Sequence, residues 1–210
     1  MPIHPDFPFP LYLVISEQNC KHHHWLKVAE EAILGGVDII QIREKNIRTK
    51  DYLHKARELK KITDKYQVPL IINDEVAIAI ELETWGIHVG RTDMQPAEIL
   101  AQNNNKFKIG WSLELMEQLQ DPQIDAVHHL GLSPIFKTAT KPNTITTWGF
   151  EGIAKISTLT QKPLIAIGGM NISNCQEAFR SGANSIAVVS AICADQDPRK
   201  AAEKLKELLQ

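Results

Sequence analysis

Short apolar runs alternate with amphipathic stretches along almost the whole chain. Leu11–Ile15 is a compact apolar run suited to a buried strand. Trp25–Leu34 carries apolar residues at helical spacing until Gly35 and Gly36 end the pattern. Val37–Ile42 reads as a second strand, and Lys50–Tyr66 as a long amphipathic helix with a Lys/Arg-rich outer face. The alternation continues with a strand over Pro69–Ile72, a helix over Val76–Glu83 and a strand over Gly86–Val89. A short helix follows over Pro96–Gln102, with Pro96 at the first helical position. The spacing then predicts a strand over Lys106–Trp111, a helix over Leu113–Leu119 and a strand over Ala126–Leu130. A polar stretch, Ser133–Thr147, is longer than a connection needs and is a candidate functional loop. The remaining helices are expected over Phe150–Leu159, Ser173–Ser181 and Pro198–Leu209, and the remaining strands over Pro163–Ile167 and Ser185–Val189.

Strict alternation of this kind implies a parallel sheet with right-handed crossovers. About eight strand–helix units in one chain predict an α/β fold, a single-domain (β/α)8 TIM barrel. The domain is expected to span residues 1–210, with 1–10 a short N-terminal extension. A doubly wound open sheet is the alternative. The chain has no Gly-x-Gly-x-x-Gly after the first strand and no P-loop, which removes support for dinucleotide and nucleoside-triphosphate sites.

Composition narrows the function classes. A net charge of −2 argues against a general nucleic-acid binder. No apolar run reaches membrane-spanning length, and Met1–Pro10 lacks the basic and apolar regions of a secretion signal. The three cysteines, Cys20, Cys175 and Cys193, are odd in number and widely spaced, which suggests reduced thiols in a cytoplasmic protein.

In a barrel the residues at the strand ends form the active face. Two apolar strands here each run into a carboxylate, Asp74 and Asp93. Two carboxylates on adjacent strand ends can share one hard cation such as Mg²⁺, whose other positions take phosphate oxygens. The other strand ends supply Gln41, Arg43 and Lys45, then Asn73, Ser112, and the loop residues Thr138, Thr140 and Lys141. This is a set for a highly anionic ligand with a bridging metal. Gly168-Gly169 and Val189-Ser190 end the last two strands, where barrels often bind phosphate on backbone N–H groups. Two anion sites are therefore expected. His88 reads as a satisfied core residue, and of His128 and His129 at most one can face the barrel interior. Trp111 and Trp148 flank the expected site, with Trp111 first of all a packing residue.

The strings Gln41-Ile-Arg-Glu-Lys45, Ile72-Asn-Asp74, His88-Val-Gly-Arg-Thr-Asp93, Gly131-Leu-Ser-Pro-Ile-Phe-Lys-Thr-Ala-Thr-Lys141, Ala166-Ile-Gly-Gly169 and Val189-Ser-Ala-Ile192 together resemble thiamine phosphate synthase. The similarity runs from Leu11 to the closing helix. The resemblance implies a barrel that joins hydroxymethylpyrimidine diphosphate to hydroxyethylthiazole phosphate, with Mg²⁺, giving thiamine phosphate and pyrophosphate. It implies that Gln41, Arg43, Lys45, Asn73, Ser112 and Lys141 hold the pyrimidine diphosphate. It assigns Mg²⁺ to Asp74 and Asp93, and the thiazole phosphate to Thr138, Thr140, Gly169, Val189 and Ser190. Arg43, Lys45, Ser112 and Lys141 are the catalytic set it implies, in a dissociative reaction. The residue inventory agrees, having no obvious nucleophile–base pair.

The chain departs from the family pattern at Glu75, where Arg is usual, at Arg91 in place of Gln and at Ser133 in place of Gly. Two rivals remain: the related thiazole tautomerase, which tends to lack the full pyrimidine-diphosphate set, and a catalytically silent barrel that only binds thiazole phosphate or thiamine phosphate.

Overall fold

The computed structural model describes residues 3–103, 106–138 and 146–209. Among them, eight parallel strands close into a barrel in sequence order. These are β1 (Leu11–Ile15), β2 (Ile39–Ile42), β3 (Leu70–Asn73), β4 (Gly86–Val89), β5 (Lys108–Leu113), β6 (His129–Leu132), β7 (Leu164–Ile167) and β8 (Ser185–Val188). The chain returns along the outside through α1 (Trp25–Leu34), α2 (Thr49–Lys65), α3 (Val76–Glu81), α4 (Pro96–Asn103), α5 (Gly149–Ser157) and α6 (Cys175–Arg180). The short α7 (Ser190–Cys193) and the closing α8 (Pro198–Leu208) follow β8.

The two-residue period of a strand splits its side chains between two cores. Leu11, Leu13 and Ile15 of β1, Ile40 and Ile42 of β2, and Ile72 of β3 point outward under the helices and belong to the main core. Tyr12, Val14, Ile39, Ile71, Ile165 and Ala187 point inward and form a second, smaller core inside the barrel. Phe7, at 0% exposure, completes that inner core. Its ring stands edge-on to Trp85 at 5.8 Å and 4.8 Å from the His129 ring. Full burial of such a ring is worth about 2 kcal/mol. The amino end of the barrel is thereby stoppered, and the carboxyl end is left to hold a ligand.

Two expectations change. The helix expected over Leu113–Leu119 does not form; β5 runs on to Leu113, and two 3-10 turns, Met116–Gln120 and Pro122–Ala126, follow. The Gln118 side chain explains this: its Oε1 accepts the N–H groups of Glu114 and Leu115 at 2.9 and 3.0 Å, and its Nε2 donates to the Ser112 carbonyl at 3.0 Å. Those bonds turn the chain immediately after the strand. β6 begins at His129 rather than Ala126, because Pro122–Ala126 is consumed by the second turn.

Candidate active site

Gln41, Arg43, Lys45, Asn73, Asp74, Asp93, Ser112, Thr138, Gly169, Val189 and Ser190 all line one cavity of about 600 Å³ at the carboxyl end of the barrel. Thr140 and Lys141 lie outside the described residues. Several of the others sit inside their strands rather than after them. Gln41 belongs to β2, Asn73 ends β3 and Ser112 is in β5; all three are buried, at 5%, 5% and 7% exposure.

One side of the cavity gathers charge. Arg43 and Lys45 alternate with Gln41 along one face of the β2 end. The strand tips are held by Tyr52 of α2, whose buried hydroxyl donates to the Ile42 carbonyl at 2.8 Å and accepts the Asn73 N–H at 3.2 Å. Asn73 keeps one group in reserve: its buried Nδ2 has no hydrogen-bond partner among the described residues. Asp74 follows with a positive φ of 64°, an unusual backbone for a residue with a side chain. Its N–H is fixed on the His88 carbonyl at 2.9 Å, and its carboxylate pairs with the Lys45 ammonium. Asp93 Oδ2 accepts the Gly90 N–H at 2.7 Å. Burial, and then the negative charge of Asp74, push the Asp93 carboxyl above the usual carboxylate range. Two carboxylates brought together in this way fit a shared divalent cation. Among the described residues no group of three or more metal-ligating side chains occurs, so any further positions would be filled by substrate oxygens and water.

The opposite side is nearly free of charge. Gly168 and Gly169 both have positive φ, 98° and 69°. A Cβ on Gly169 would stand 2.8 Å from the Phe136 Cβ, so only glycine fits there. The Gly169 carbonyl is clamped by Asn171 Nδ2 at 3.1 Å and Asn174 Nδ2 at 2.9 Å. A peptide's C=O and N–H point in opposite directions. The clamp on the Gly169 carbonyl therefore fixes which way the N–H of Met170, a cavity residue, can point. Ser190 opens α7 beside this loop.

His88 corrects its reading as an ordinary core residue. It lines the cavity, and its Nε2 stands 3.0 Å from Ser112 Oγ. His129 is the interior member of the His128–His129 pair, at 0% exposure, and burial holds its imidazole neutral by pushing its pKa well down. Glycines on nearby strands make the room: a Cβ on Gly110 of β5 would stand 2.3 Å from His129 Nε2, and one on Gly131 of β6, two strands from His88, 2.9 Å from His88 Cε1. Sequence reading missed this arrangement, along with the two asparagines of the Gly169 clamp. The Asn-x-x-Asn spacing at 171–174 was the available signal. Trp111, at 1% exposure, packs in the main core and does not flank the cavity, and Trp148 donates its indole N–H to the Leu113 carbonyl at 3.1 Å. Arg91 and Ser133 line the cavity, with Arg91 Nε 3.9 Å from the Glu114 carboxylate. Glu75 stands at the start of α3 and is not among the lining residues.

Residues 11–192 match the sequence model of the thiamine monophosphate synthase family. The chain belongs to that family. Thiamine-phosphate synthase from Albidiferax ferrireducens is 40% identical to it, over 95% of this chain and 91% of the relative. The thiamine-phosphate synthase of Vibrio parahaemolyticus is 39% identical over 96% of this chain and 98% of its own length. Among solved structures, a thiamine phosphate pyrophosphorylase from Pyrococcus furiosus superposes with a TM-score of 0.85 at 28% identity, covering 96% of this chain and 95% of that one. A 3-hexulose-6-phosphate synthase superposes with a TM-score of 0.70 at 12% identity, over 96% of this chain and 100% of that one, and shares the fold alone. Family membership thus rests on similarity along almost the whole length, which includes every strand end described above.

Proposed function

We propose that this chain is a thiamine-phosphate synthase that joins hydroxymethylpyrimidine diphosphate to hydroxyethylthiazole phosphate and releases pyrophosphate. The observation that carries this reading is the single cavity with a cation–amide–carboxylate side and a glycine–hydroxyl side. The first suits a diphosphate ester, the second a phosphate monoester.

Arg43 and Lys45 face the diphosphate and stabilise the charge that grows on it as the C–O bond to the pyrimidine methylene breaks. The family resemblance assigns a third positive charge here to Lys141. Asp74 and Asp93 hold Mg²⁺, which when bound supplies Lewis-acid stabilisation of the departing pyrophosphate. Lys45 pairs with Asp74 and can turn to phosphate oxygens when they arrive. Gln41, Asn73 and Ser112 hold the pyrimidine end from buried positions, where little water can reach the methylene cation. Backbone N–H groups around Gly169 and Ser190, with the Ser190 and Thr138 hydroxyls, hold the thiazole phosphate so that its ring nitrogen faces that carbon; the family resemblance adds Thr140 to this set. Bond breaking precedes bond making, so no residue need act as a nucleophile.

The test is pyrophosphate release from the two substrates with Mg²⁺, run on the parent and on Asp93→Asn. The parent should turn over, and Asp93→Asn should lose roughly two or more orders of magnitude in kcat/KM. Its melting temperature should not fall, because the substitution removes a charge that Asp74 opposes. Parent-like turnover by Asp93→Asn, or no pyrophosphate from the parent, refutes the reading.

A further inference from the structure

Within Gln41-Ile-Arg-Glu-Lys45, the acidic member Glu44 does not line the cavity. Glu44 is a charged residue with a side chain only 5% exposed, placed between two cations that face the cavity. A buried carboxylate is costly unless charge and hydrogen bonds surround it. Its partners come from two other segments. Glu44 Oε1 accepts the backbone N–H of Glu17 at 3.0 Å and the Lys55 ammonium at 3.0 Å. Lys55, on α2, reaches Glu17 Oε2 at 2.7 Å as well. Glu17 opens the 3-10 turn Glu17–Asn19 after β1, and Asn19 at its end lines the cavity. One carboxylate therefore clasps the β1 turn and α2 to the tip of β2 from behind.

The clasp acts where the strand has ended. The last β1–β2 register pair is Ile15 with Ile42, and the Arg43 N–H bonds to the Ile15 carbonyl at 2.9 Å. Beyond that point no ladder holds residues 44 and 45, yet Arg43 and Lys45 must both point at the same ligand. Period-two geometry puts 44 on the opposite side from 43 and 45, so pinning residue 44 outward keeps its two neighbours turned inward. An apolar residue at 44 would fill the space but leave the Glu17 N–H without its partner.

We propose that Glu44 is a positioning residue for the diphosphate: through Glu17 and Lys55 it fixes the strand tip from which Arg43 and Lys45 reach the leaving group. This rests on the synthase reading for the identity of the ligand, and it concerns only the diphosphate side of the cavity. It predicts a one-sided effect. Loss of the clasp weakens diphosphate binding and leaves the thiazole phosphate untouched.

The probe is inorganic pyrophosphate with Mg²⁺, titrated calorimetrically into the parent, Glu44→Ala, Glu44→Gln and Lys55→Met. Glu44→Ala should bind it about tenfold more weakly, the scale expected for a misplaced binding group. Glu44→Gln should recover most of that loss, because an amide oxygen still accepts the Glu17 N–H. In steady-state assays the KM for the pyrimidine diphosphate should rise in step while that for the thiazole phosphate stays put. Should Glu44→Ala not fold, Lys55→Met opens the clasp from α2 and should act in the same direction. Parent-like pyrophosphate affinity in the folded variants overturns the proposal, as do a failure of the parent to bind pyrophosphate and an equal rise in both KM values. A parent that binds pyrophosphate but forms no product, with Glu44→Ala still weaker, refutes the synthase reading and leaves the positioning role standing.

Discussion

Replacement of Gly110 by alanine tests the packing beneath the site. The new Cβ would stand 2.3 Å from His129 Nε2, 2.6 Å from His88 Nδ1 and 2.7 Å from His129 Cε1. Ordinary carbon contacts lie at about 3.5 Å or more, so the overlap is roughly 1 Å on two rings. The backbone cannot retreat, because Gly110 pairs with His88 on one side and His129 on the other inside a closed barrel. Nor can His129, which is fully buried against Phe7. Overpacking of this severity costs about 3 kcal/mol. For a chain of this length that lowers the melting temperature by about 6–12 °C. Adding His129→Ala removes two of the three clashes, so a double-mutant cycle read by urea unfolding should return about 2 kcal/mol of favourable coupling. Activity should not return with stability. His88 remains displaced toward the cavity and gives up its 3.0 Å contact with Ser112. A melting temperature for Gly110→Ala within about one degree of the parent, or strict additivity in the cycle, would refute this account of the interior.

Acid should act in part through His128, beside the more deeply buried His129. Burial, and then the Lys108 charge, lower its pKa from 6.5 to about 4, so the folded protein binds fewer protons there than the unfolded chain. Stability contributed by the neutral ring is present above the unfolded pKa and drains away as the pH falls towards about 4. His128→Phe keeps the edge contact with Trp85 and should shrink the drop in urea midpoint between neutral and mildly acid solution; an unchanged drop sinks the assignment. Gly169→Val places a Cβ 2.8 Å from Phe136 at a φ of 69°, and it should raise the KM for the thiazole phosphate far more than that for the pyrimidine diphosphate. Comparable rises would mean that the two anion sites are interchanged.

The alternation of apolar runs and helical spacing was enough to read the barrel, because the strands are largely buried on both faces and so appear as short, mainly apolar runs. Strand ends that run into Asp74, Asp93 or Gly168-Gly169 were legible for the same reason: polarity changes abruptly where the chain leaves the sheet. The segment after β5 was not. Leu113, Met116 and Leu119 repeat at helical spacing, and it is the three bonds from the Gln118 side chain to the nearby backbone of Ser112, Glu114 and Leu115, invisible to a periodicity of apolar positions, that turn it into 3-10 structure. The interior histidines were hidden for another reason. Whether an imidazole fits inside depends on glycines far away in the chain on other strands, a juxtaposition set by register rather than by local pattern. Glu44 looked like one more charge in a polar string because its partners, Glu17 and Lys55, come from other elements.

The seam between β1 and β8 has a consequence for how the molecule is made. Leu11, Tyr12 and Leu13 pair with Ile186, Ala187 and Val188, and the Ile186 N–H bonds to the Pro10 carbonyl at 2.9 Å. Pro10 and Ser185, which also meet there, are 175 residues apart in the chain. Asp38, just before β2, ties the start of β1 to the closing helix, accepting the Leu11 N–H at 2.8 Å and the Lys206 ammonium at 2.7 Å. During synthesis β1 leaves the ribosome before the other seven strands and β8 after them, so one edge of β1, the apolar Leu-Tyr-Leu-Val-Ile, waits without its mate until β8 is made. A nascent chain halted before residue 185 can carry most of the ligand-binding strand tips and still present an open, adhesive edge.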